Sequence, residues 1–416
     1  MFDVIIIGGG ASGLMVGGVA AGRGLNVAII DKNKMMGRKV RITGKGRCNI
    51  TNNCERDEFF RNIVVGEKFL MSAFSKFDNR DAIDFFEGLG VRTKIERGER
   101  VFPLSDNANE VADALGRFAQ KCKIYGGIRA VEVKKVAGLL RDGVPRNDVF
   151  EVKLSNGEVL RSKSVIIAAG GSSYPLTGSN GGGYSLAKKL GHTIIPIRPA
   201  LVPLVTQETW VREVEGLSLR NVGCRFVCDG KVIYQEAVGE LLFTDFGVSG
   251  PAVLSASLHT EKFPIELFID LKPALAEDVL DKRILRDFSE SLNKDFGNAL
   301  GGLLPKSFIP VFIKLCGISE NKKVNQITAE ERGKVVHLLK NIPLTITKTR
   351  PIDEAIITMG GVDTREVNPS TMGSKICSGL YFCGEVLNIS GYTGGFNLQI
   401  AWATGNAVGK SVLNDK

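Results

Sequence analysis

The chain opens on a nearly continuous apolar run, Phe2-Asp3-Val4-Ile5-Ile6-Ile7, the pattern of a strand buried on both faces. Glycines from Gly8 to Gly13 follow, and residues 14–23 are small and apolar enough for a closely packed helix. A second strand over 26–30 ends at Asp31, which makes a strand–helix–strand unit of about thirty residues. Helices are predicted over 78–89, with Ile83, Phe85, Phe86 and Leu89 as apolar contacts, and over 109–121, with Val111, Leu115, Phe118 and Ala119 on one side. Residues 124–136 and 149–154 alternate as antiparallel strands. Asn156-Gly157 is a hairpin signal, and 164–169 return as a buried strand into Gly170-Gly171.

The pattern changes near residue 194. Pro196, Pro199 and Pro203 punctuate short strands at 201–206, 222–228, 231–238 and 263–270. Residues 275–342 then read as helical, and Ile284, Phe288 and Leu292 form an i, i+4, i+8 stripe. Leu304-Pro305 marks a boundary, and Pro310 makes the next segment a kinked or short helix. Strand character resumes at 345–349, 352–359 and 379–383, ahead of a last glycine-rich loop and a helix running through Ala407. A strand ending near 383 needs partners, and the N-terminal sheet is the natural place for them. Residues 195–350 therefore read as an insertion in a discontinuous nucleotide-binding domain.

Composition narrows the class. Of 416 residues, 44% are hydrophobic and 24% charged, as in globular proteins. No apolar run approaches the ~18 residues of a membrane span, and the N-terminus does not resemble a signal peptide. The expectation is a soluble cytoplasmic protein without a membrane partner. Three histidines and no C-x-x-C pair argue against a metal site and for reduced, buried thiols. A net charge of +9 suits a phosphate-bearing cofactor or a nucleic acid.

The chemistry lies in the glycine motifs. Gly8-x-Gly10-Ala11-Ser12-Gly13 follows a strand, opens a helix and precedes Asp31 at the end of the next strand. In that setting Gly8 makes the turn, Gly10 lets a pyrophosphate approach, Gly13 packs helix on sheet, and Asp31 accepts from the adenosine ribose. Tyr381-Phe382-Cys383-Gly384-Glu385 is a strand ending in Gly-acid, where Glu385 is expected at the ribityl chain. Gly394-Gly395-Phe396-Asn397-Leu398-Gln399 opens a helix whose N-terminus suits the N1–C2=O edge of a flavin. Ile166 to Gly171, including Ala169 and Gly170, is a third segment passing a dinucleotide. Three converging segments favour FAD over a free nicotinamide cofactor. Seven basic residues fall between Lys32 and Arg47, and among them Arg38, Lys39 and Arg47 stand beside glycines as phosphate partners. No second G-x-G-x-x-G exists, so NAD(P)H is expected only as a transient electron donor.

These motifs carry a resemblance. With Thr43-Gly44-Lys45-Gly46-Arg47-Cys48-Asn49-Ile50-Thr51-Asn52, residues 242–251 and residues 391–399, the chain resembles the BaiN/RdsA family of FAD-dependent oxidoreductases, within the glutathione-reductase-like superfamily. The chain departs from the family pattern at Asp245, where members often carry His. The resemblance implies an α/β fold: a discontinuous Rossmann-like FAD-binding domain (1–194 and 351–416), an inserted β-barrel (195–272 and 343–350) and a small helical subdomain (273–342). It implies non-covalent FAD held by the glycine motifs together with Lys32, Thr43, Gly44, Gly46, Cys48, Asn49 and Ile128. It further implies reduction of an activated C=C bond, either of a uracil in ribosomal RNA or of a small steroid-like enone. Tyr392 and Cys48 are candidates for the proton donor. A nucleic-acid-binding flavoprotein without turnover is the competing class.

Overall fold

The computed structural model describes residues 1–141 and 144–414, and of 138–141 and 144–147 the backbone alone. It divides into two compact units, Met1–Ala200 with Ile352–Lys416, and Leu201–Pro351.

The first unit is built on a mixed sheet. In chain order its strands are β1 (Phe2–Ile7), β2 (Val27–Asp31), β3 (Lys123–Gly126), β4 (Ala130–Arg141), β5 (Val144–Leu154) and β6 (Val159–Ile167). They lie in the order β3-β2-β1-β6-β5-β4. The apolar run predicted for β1 is buried from Val4 to Ile7, with β2 and β6 parallel on either side. The alternating stretch predicted over 124–136 is two strands. It breaks at Gly126-Gly127, so that β3 runs parallel to β2 while β4 pairs antiparallel with β5. β6 changes partner along its length. Residues 159–162 pair antiparallel with β5 through the Asn156-Gly157 turn, and Ser162 to Ile167 run parallel to β1. The helices of this stretch include α1 (Ala11–Gly22), α2 (Asn79–Gly88) and α3 (Ala108–Phe118). The Asp78 capping box fixes the start of α2. One further strand, β7 (Ile194–Ala200), ends this run of the chain.

The second unit holds a closed barrel of β8 (Leu204–Thr206), β9 (Ser218–Cys228), β10 (Lys231–Thr244), β11 (Gly247–Ser249), β12 (Ile265–Asp270) and β13 (Ile342–Thr349), in the order β8-β11-β10-β9-β12-β13. Between β12 and β13 lie α4 (Glu277–Ser289), α5 (Ile309–Cys316) and α6 (Ala329–Lys340). Barrel residues Phe226, Phe243 and Ile269 share one apolar cluster with Leu280, Ile284, Phe312 and Leu339 of the helices. The predicted stripe overshoots. α4 ends at Ser289, so Leu280, Ile284 and Phe288 are buried and Leu292 is exposed. Of the two outcomes expected at Pro310 the short helix is found: α5 has 8 residues, and Pro310 sits unkinked in its first turn, where its missing N–H has no partner to lose.

The chain then returns to the first unit. There β14 (Ile357–Val362) pairs with β7, β15 (Leu380–Phe382) adds parallel to β6, and α7 (Phe396–Ser411) packs along α1. The expected partner for the strand near 383 is thus found on the N-terminal sheet. The architecture is α/β, a Rossmann-like sheet with a closed barrel in the second unit. No helix among the described residues is long and apolar enough to cross a membrane.

One buried histidine sets a pH limit on the first unit. His192 Nε2 lies 2.7 Å from Ser374 Oγ, and Nδ1 lies 3.2 Å from Glu366 Oε2. Burial pushes this imidazole below its ordinary pKa, and the opposing pull of Glu366 is weaker. The folded state therefore prefers neutral His192, and the unfolded chain binds more protons below about pH 6.5. Stability supplied by this site is complete above that pH and declines as pH falls through the depressed folded value. Thermal unfolding between about pH 7.5 and pH 5.5 should show a larger loss of Tm for the wild type than for His192→Asn. Parallel curves would show that His192 does not titrate with folding.

Candidate functional site

The site is assembled at the C-terminal ends of β1, β2 and β6, where the first strand–helix turn needs backbone unencumbered by side chains. At Gly8, with φ +111°, a Cβ would stand 2.3 Å from the Ala168 carbonyl oxygen, and at Gly13 it would stand 1.9 Å from that of Gly8. Gly10 differs. Its φ of −85° and ψ of −163° suit any residue, and a Cβ there would meet nothing within 4 Å. The protein alone gives no reason for glycine at this position, whereas a ligand seated on the turn does. The helix behind it has no side-chain cap and no acidic residue in its first turn. The N–H groups of Ala11, Ser12 and Gly13 therefore offer a positive dipole end to an anion.

Asp31 holds this turn in place. Its Oδ2 accepts from Gly9 N–H and its Oδ1 from Asn33 N–H, both at 2.7 Å, while Ile128 N–H donates to its carbonyl. Each carboxylate oxygen keeps a lone pair for a further donor. Ser12 Oγ donates to the Cys383 carbonyl at 3.3 Å, and Gly384 N–H donates to Thr404 Oγ1 at 3.0 Å. Thus β15, α1 and α7 meet at one point. Ala169 and Gly170 complete this side, with Gly170 at φ +70°.

A second set of residues gathers around the N-terminus of α7. That helix starts at Gly395 (φ +101°), again without a side-chain cap or an acid in its first turn. A Cβ on Gly395 would lie 2.4 Å from the backbone of Thr51. The loop 43–54 is tied to it by two buried bonds, Thr51 Oγ1 donating to Gln399 Oε1 at 2.8 Å and Trp402 Nε1 donating to Ile50 O, while Gln399 Nε2 donates to Phe77 O. Asn397 braces the approach, accepting from Gly391 N–H and donating to the carbonyls of Gly391 and Tyr392. Phe396 is buried and Leu398 half-buried beside it. Two polar atoms in this region are buried without a partner, Asn49 Oδ1 and Ser390 Oγ. Such atoms are costly unless a ligand or water completes them. The open face of Gly10, two uncapped helix starts and these orphaned oxygens fit a dinucleotide with a polar ring system.

A polar network joins four segments between these sets. Lys39 Nζ donates to Glu385 Oε2 at 2.8 Å and to Ser173 Oγ at 2.7 Å. Glu385 Oε1 accepts from Thr358 N–H and from Ser173 Oγ. Thr358 Oγ1 accepts the N–H groups of Ser172 and Ser173.

The family profile described as HI0933-like protein Rossmann domain matches residues 2–411. The chain belongs to this family. Its relatives agree along their whole length. It is 33% identical to the 3-dehydro-bile acid delta(4,6)-reductase of Clostridium scindens over 98% of both chains. It is 32% identical to the ribosomal RNA dihydrouridine synthase of Haemophilus influenzae over 98% of both, and 30% identical to that of Escherichia coli over 100% of this chain and 99% of the other. Among solved structures it resembles the 3-ketosteroid delta1-dehydrogenase of Sterolibacterium denitrificans, with a TM-score of 0.51, 14% identity and 99% of each chain covered, a likeness of fold. These full-length relatives match the BaiN/RdsA resemblance carried by the motifs.

Within this HI0933-like fold, the predicted residues do not all converge. Gly8 to Gly13, Asp31, Ile128, Ala169, Gly170 and Gly384 gather at the first turn with Lys32 beside them, while Lys39 and Glu385 lie in the polar network. Thr43, Gly44, Cys48, Asn49 and Gly395 to Gln399 form the second set. Arg47 turns elsewhere. Its guanidinium pairs with Glu96 and with Asp106 at 2.6 Å and lies 4.2 Å from the Phe102 ring centroid. Arg38 is exposed, 3.4 Å from Asn33 Oδ1, and Gly46 (φ +85°) serves the local turn. Cys48 is wholly buried at φ +60°, and burial pushes its thiol up to about 12. That is a packing position, ill suited to delivering a proton near neutral pH. Tyr392 is half-buried, and its backbone N–H donates to Asn62 O. Sequence reasoning missed Ser173, Thr358, Thr404 and Ser390. Only Ser390, beside the Gly391–Gln399 motif, carried any signal.

Two glycines of one motif should therefore respond in opposite ways. Gly10→Ser supplies a favourable N-cap, so unfolding without cofactor should stay within about 0.5 kcal/mol of wild type, while cofactor affinity falls at least tenfold, about 1.4 kcal/mol. Gly13→Ala should destabilise the cofactor-free protein by roughly 1–3 kcal/mol through overpacking. Equal loss of stability in both variants would remove the case for a ligand at Gly10.

Proposed function

We propose that this protein is an FAD-dependent reductase of a C=C bond conjugated to a carbonyl, and that its substrate is a uracil of ribosomal RNA. The relatives' names carry the reaction class. A delta(4,6)-reductase of a 3-dehydro-bile acid and a dihydrouridine synthase both describe hydrogen added across such a bond. The open face at Gly10 supports FAD, with Ala11, Ser12 and Gly13 toward the pyrophosphate, Asp31 toward the ribose and the start of α7 toward the ring. FAD, when bound, supplies hydride transfer from a nicotinamide donor to the electrophilic carbon. The chain's own part is to exclude water, fix the ring and favour its anionic reduced form through the dipole of α7.

RNA is favoured over a small enone by where the charge resides. The unit Leu201–Pro351 contains 19 basic and 19 acidic residues, so the excess of nine lies wholly in the nucleotide-binding unit. The Clostridium relative supports the second reading, a steroid-like enone, and the same assay separates the two.

Purified protein should be yellow, and acid should release intact FAD into the supernatant, so colour retained by the precipitate would contradict non-covalent binding. In stopped flow, NADH or NADPH should bleach the flavin, and ribosomal RNA should restore its absorbance faster than an enone does. Deletion of the gene should remove at least one dihydrouridine from ribosomal RNA by mass mapping. An unchanged dihydrouridine map together with fast reoxidation by enones would establish the small-molecule reading.

A further inference from the structure

The positive excess is not spread evenly over the nucleotide-binding unit. Many of its cations are matched: Arg41 with Asp113, Arg47 with Glu96 and Asp106, Arg161 with Glu151, Lys163 with Asp3. One region is not. Lys32, Lys34, Arg38 and Arg129 form no ion pair among the described residues, although they sit close together. Gly127 N–H donates to Asn33 O, and Ile128 N–H to Asp31 O, which joins segment 126–129 to segment 31–34. The Lys34 side chain lies along Gly127, whose Cβ position is 3.2 Å from Lys34 Cγ. Arg129 is near enough to Lys32 to disfavour its charge, while Arg38 reaches Asn33. Asp31 is the one acidic influence on Lys32, and burial of that lysine outweighs it.

The patch continues along the edge strand β3, which pairs only with β2. There Lys123 Nζ lies 5.1 Å from the Tyr125 ring centroid and 6.0 Å from that of Phe2, with Glu158 its one acidic influence. Lysine on a sheet edge also guards against strand pairing. That role accounts for Lys123 but not for Lys34 and Arg129, which lie beyond the strand. Unmatched cations beside an exposed strand carrying an aromatic ring are the chemistry of a phosphodiester track.

We infer that the rim formed by Lys34, Arg129 and the β3 edge, continuous with Lys32 and Arg38, is the surface that receives the phosphate backbone of RNA. The inference rests on the RNA reading above and adds to it the face of the molecule that RNA crosses. The neutral unit Leu201–Pro351 supplies little of the electrostatic attraction.

The test uses the holoenzyme and labelled fragments of deproteinised ribosomal RNA, with affinity followed by anisotropy from about 50 to 200 mM salt. Lys34→Glu with Arg129→Glu should weaken binding about tenfold or more and flatten the log–log salt slope by about 0.7–0.9 per residue. Flavin absorbance should not change, because neither residue touches the cradle at Gly10. Lys34→Gln with Arg129→Gln should show a smaller effect of the same sign and serves if the reversals disturb folding. A control pair in the neutral unit, Lys231→Glu with Lys348→Glu, should bind like wild type. Unchanged binding by both rim variants, or an equal loss in the control, overturns the inference and leaves the RNA reading standing. Absence of salt-dependent RNA binding by the wild type overturns both.

Discussion

The nucleotide-binding unit depends on how closely α1 and α7 cross. A Cβ on Gly405 would lie 2.8 Å from the Ser12 carbonyl oxygen, and one on Gly409 would lie 2.6 Å from Val19 Cβ. Two helices separated by nearly two-fifths of a thousand residues in sequence thus meet backbone to side chain, without spacers. That proximity lets Gly384 reach Thr404 and Ser12 reach Cys383. The glycines cost conformational entropy on folding. The compensation is a rigid crossing that no larger residue permits.

The electrostatics follow from the same economy of space. Lys39 and Glu385 come from segments far apart in the chain, yet the ion pair is only about one-fifth exposed on either side chain. A pair so placed must be hydrogen-bonded on its remaining atoms to be tolerated. Ser173 and the backbone of Thr358 do this. Glu385 Oε1 is thereby committed to two protein donors, while Oε2 accepts from Lys39 alone and, like each Asp31 oxygen, keeps a lone pair.

How much of this could be read from the sequence depended on the range of the interactions involved. The first strand, turn and helix were legible because a buried strand and G-x-G-x-x-G spacing are local patterns, and Asp31 follows from the end of β2. The partner of residues 380–382 could be inferred because an isolated strand cannot satisfy its backbone. Arg47 could not be placed, because its partners Glu96 and Asp106 lie some fifty and sixty residues away and adjacency to glycine says nothing of them. Ser173 and Thr358 were hidden for the same reason. Leu292 was misplaced because apolar periodicity carries no stop signal at Ser289, where α4 ends. The concentration of charge in one unit was present in the sequence throughout, but only the structural division made it visible.

The return of the chain to complete the first unit bears on how the protein is made. β15 and α7 leave the ribosome after the whole barrel unit, and they close a core begun by β1 and α1. Until they emerge, the buried faces of β6 and α1 lack their neighbours, while the barrel unit Leu201–Pro351 already has all its strands. At roughly 5–20 residues per second, translation of the roughly 210 residues between β6 and β15 leaves those nascent apolar surfaces uncovered for roughly 10–40 s. Vectorial synthesis thus completes this protein from the inside of its sequence outward, with the barrel's strands all present before the nucleotide-binding unit can close.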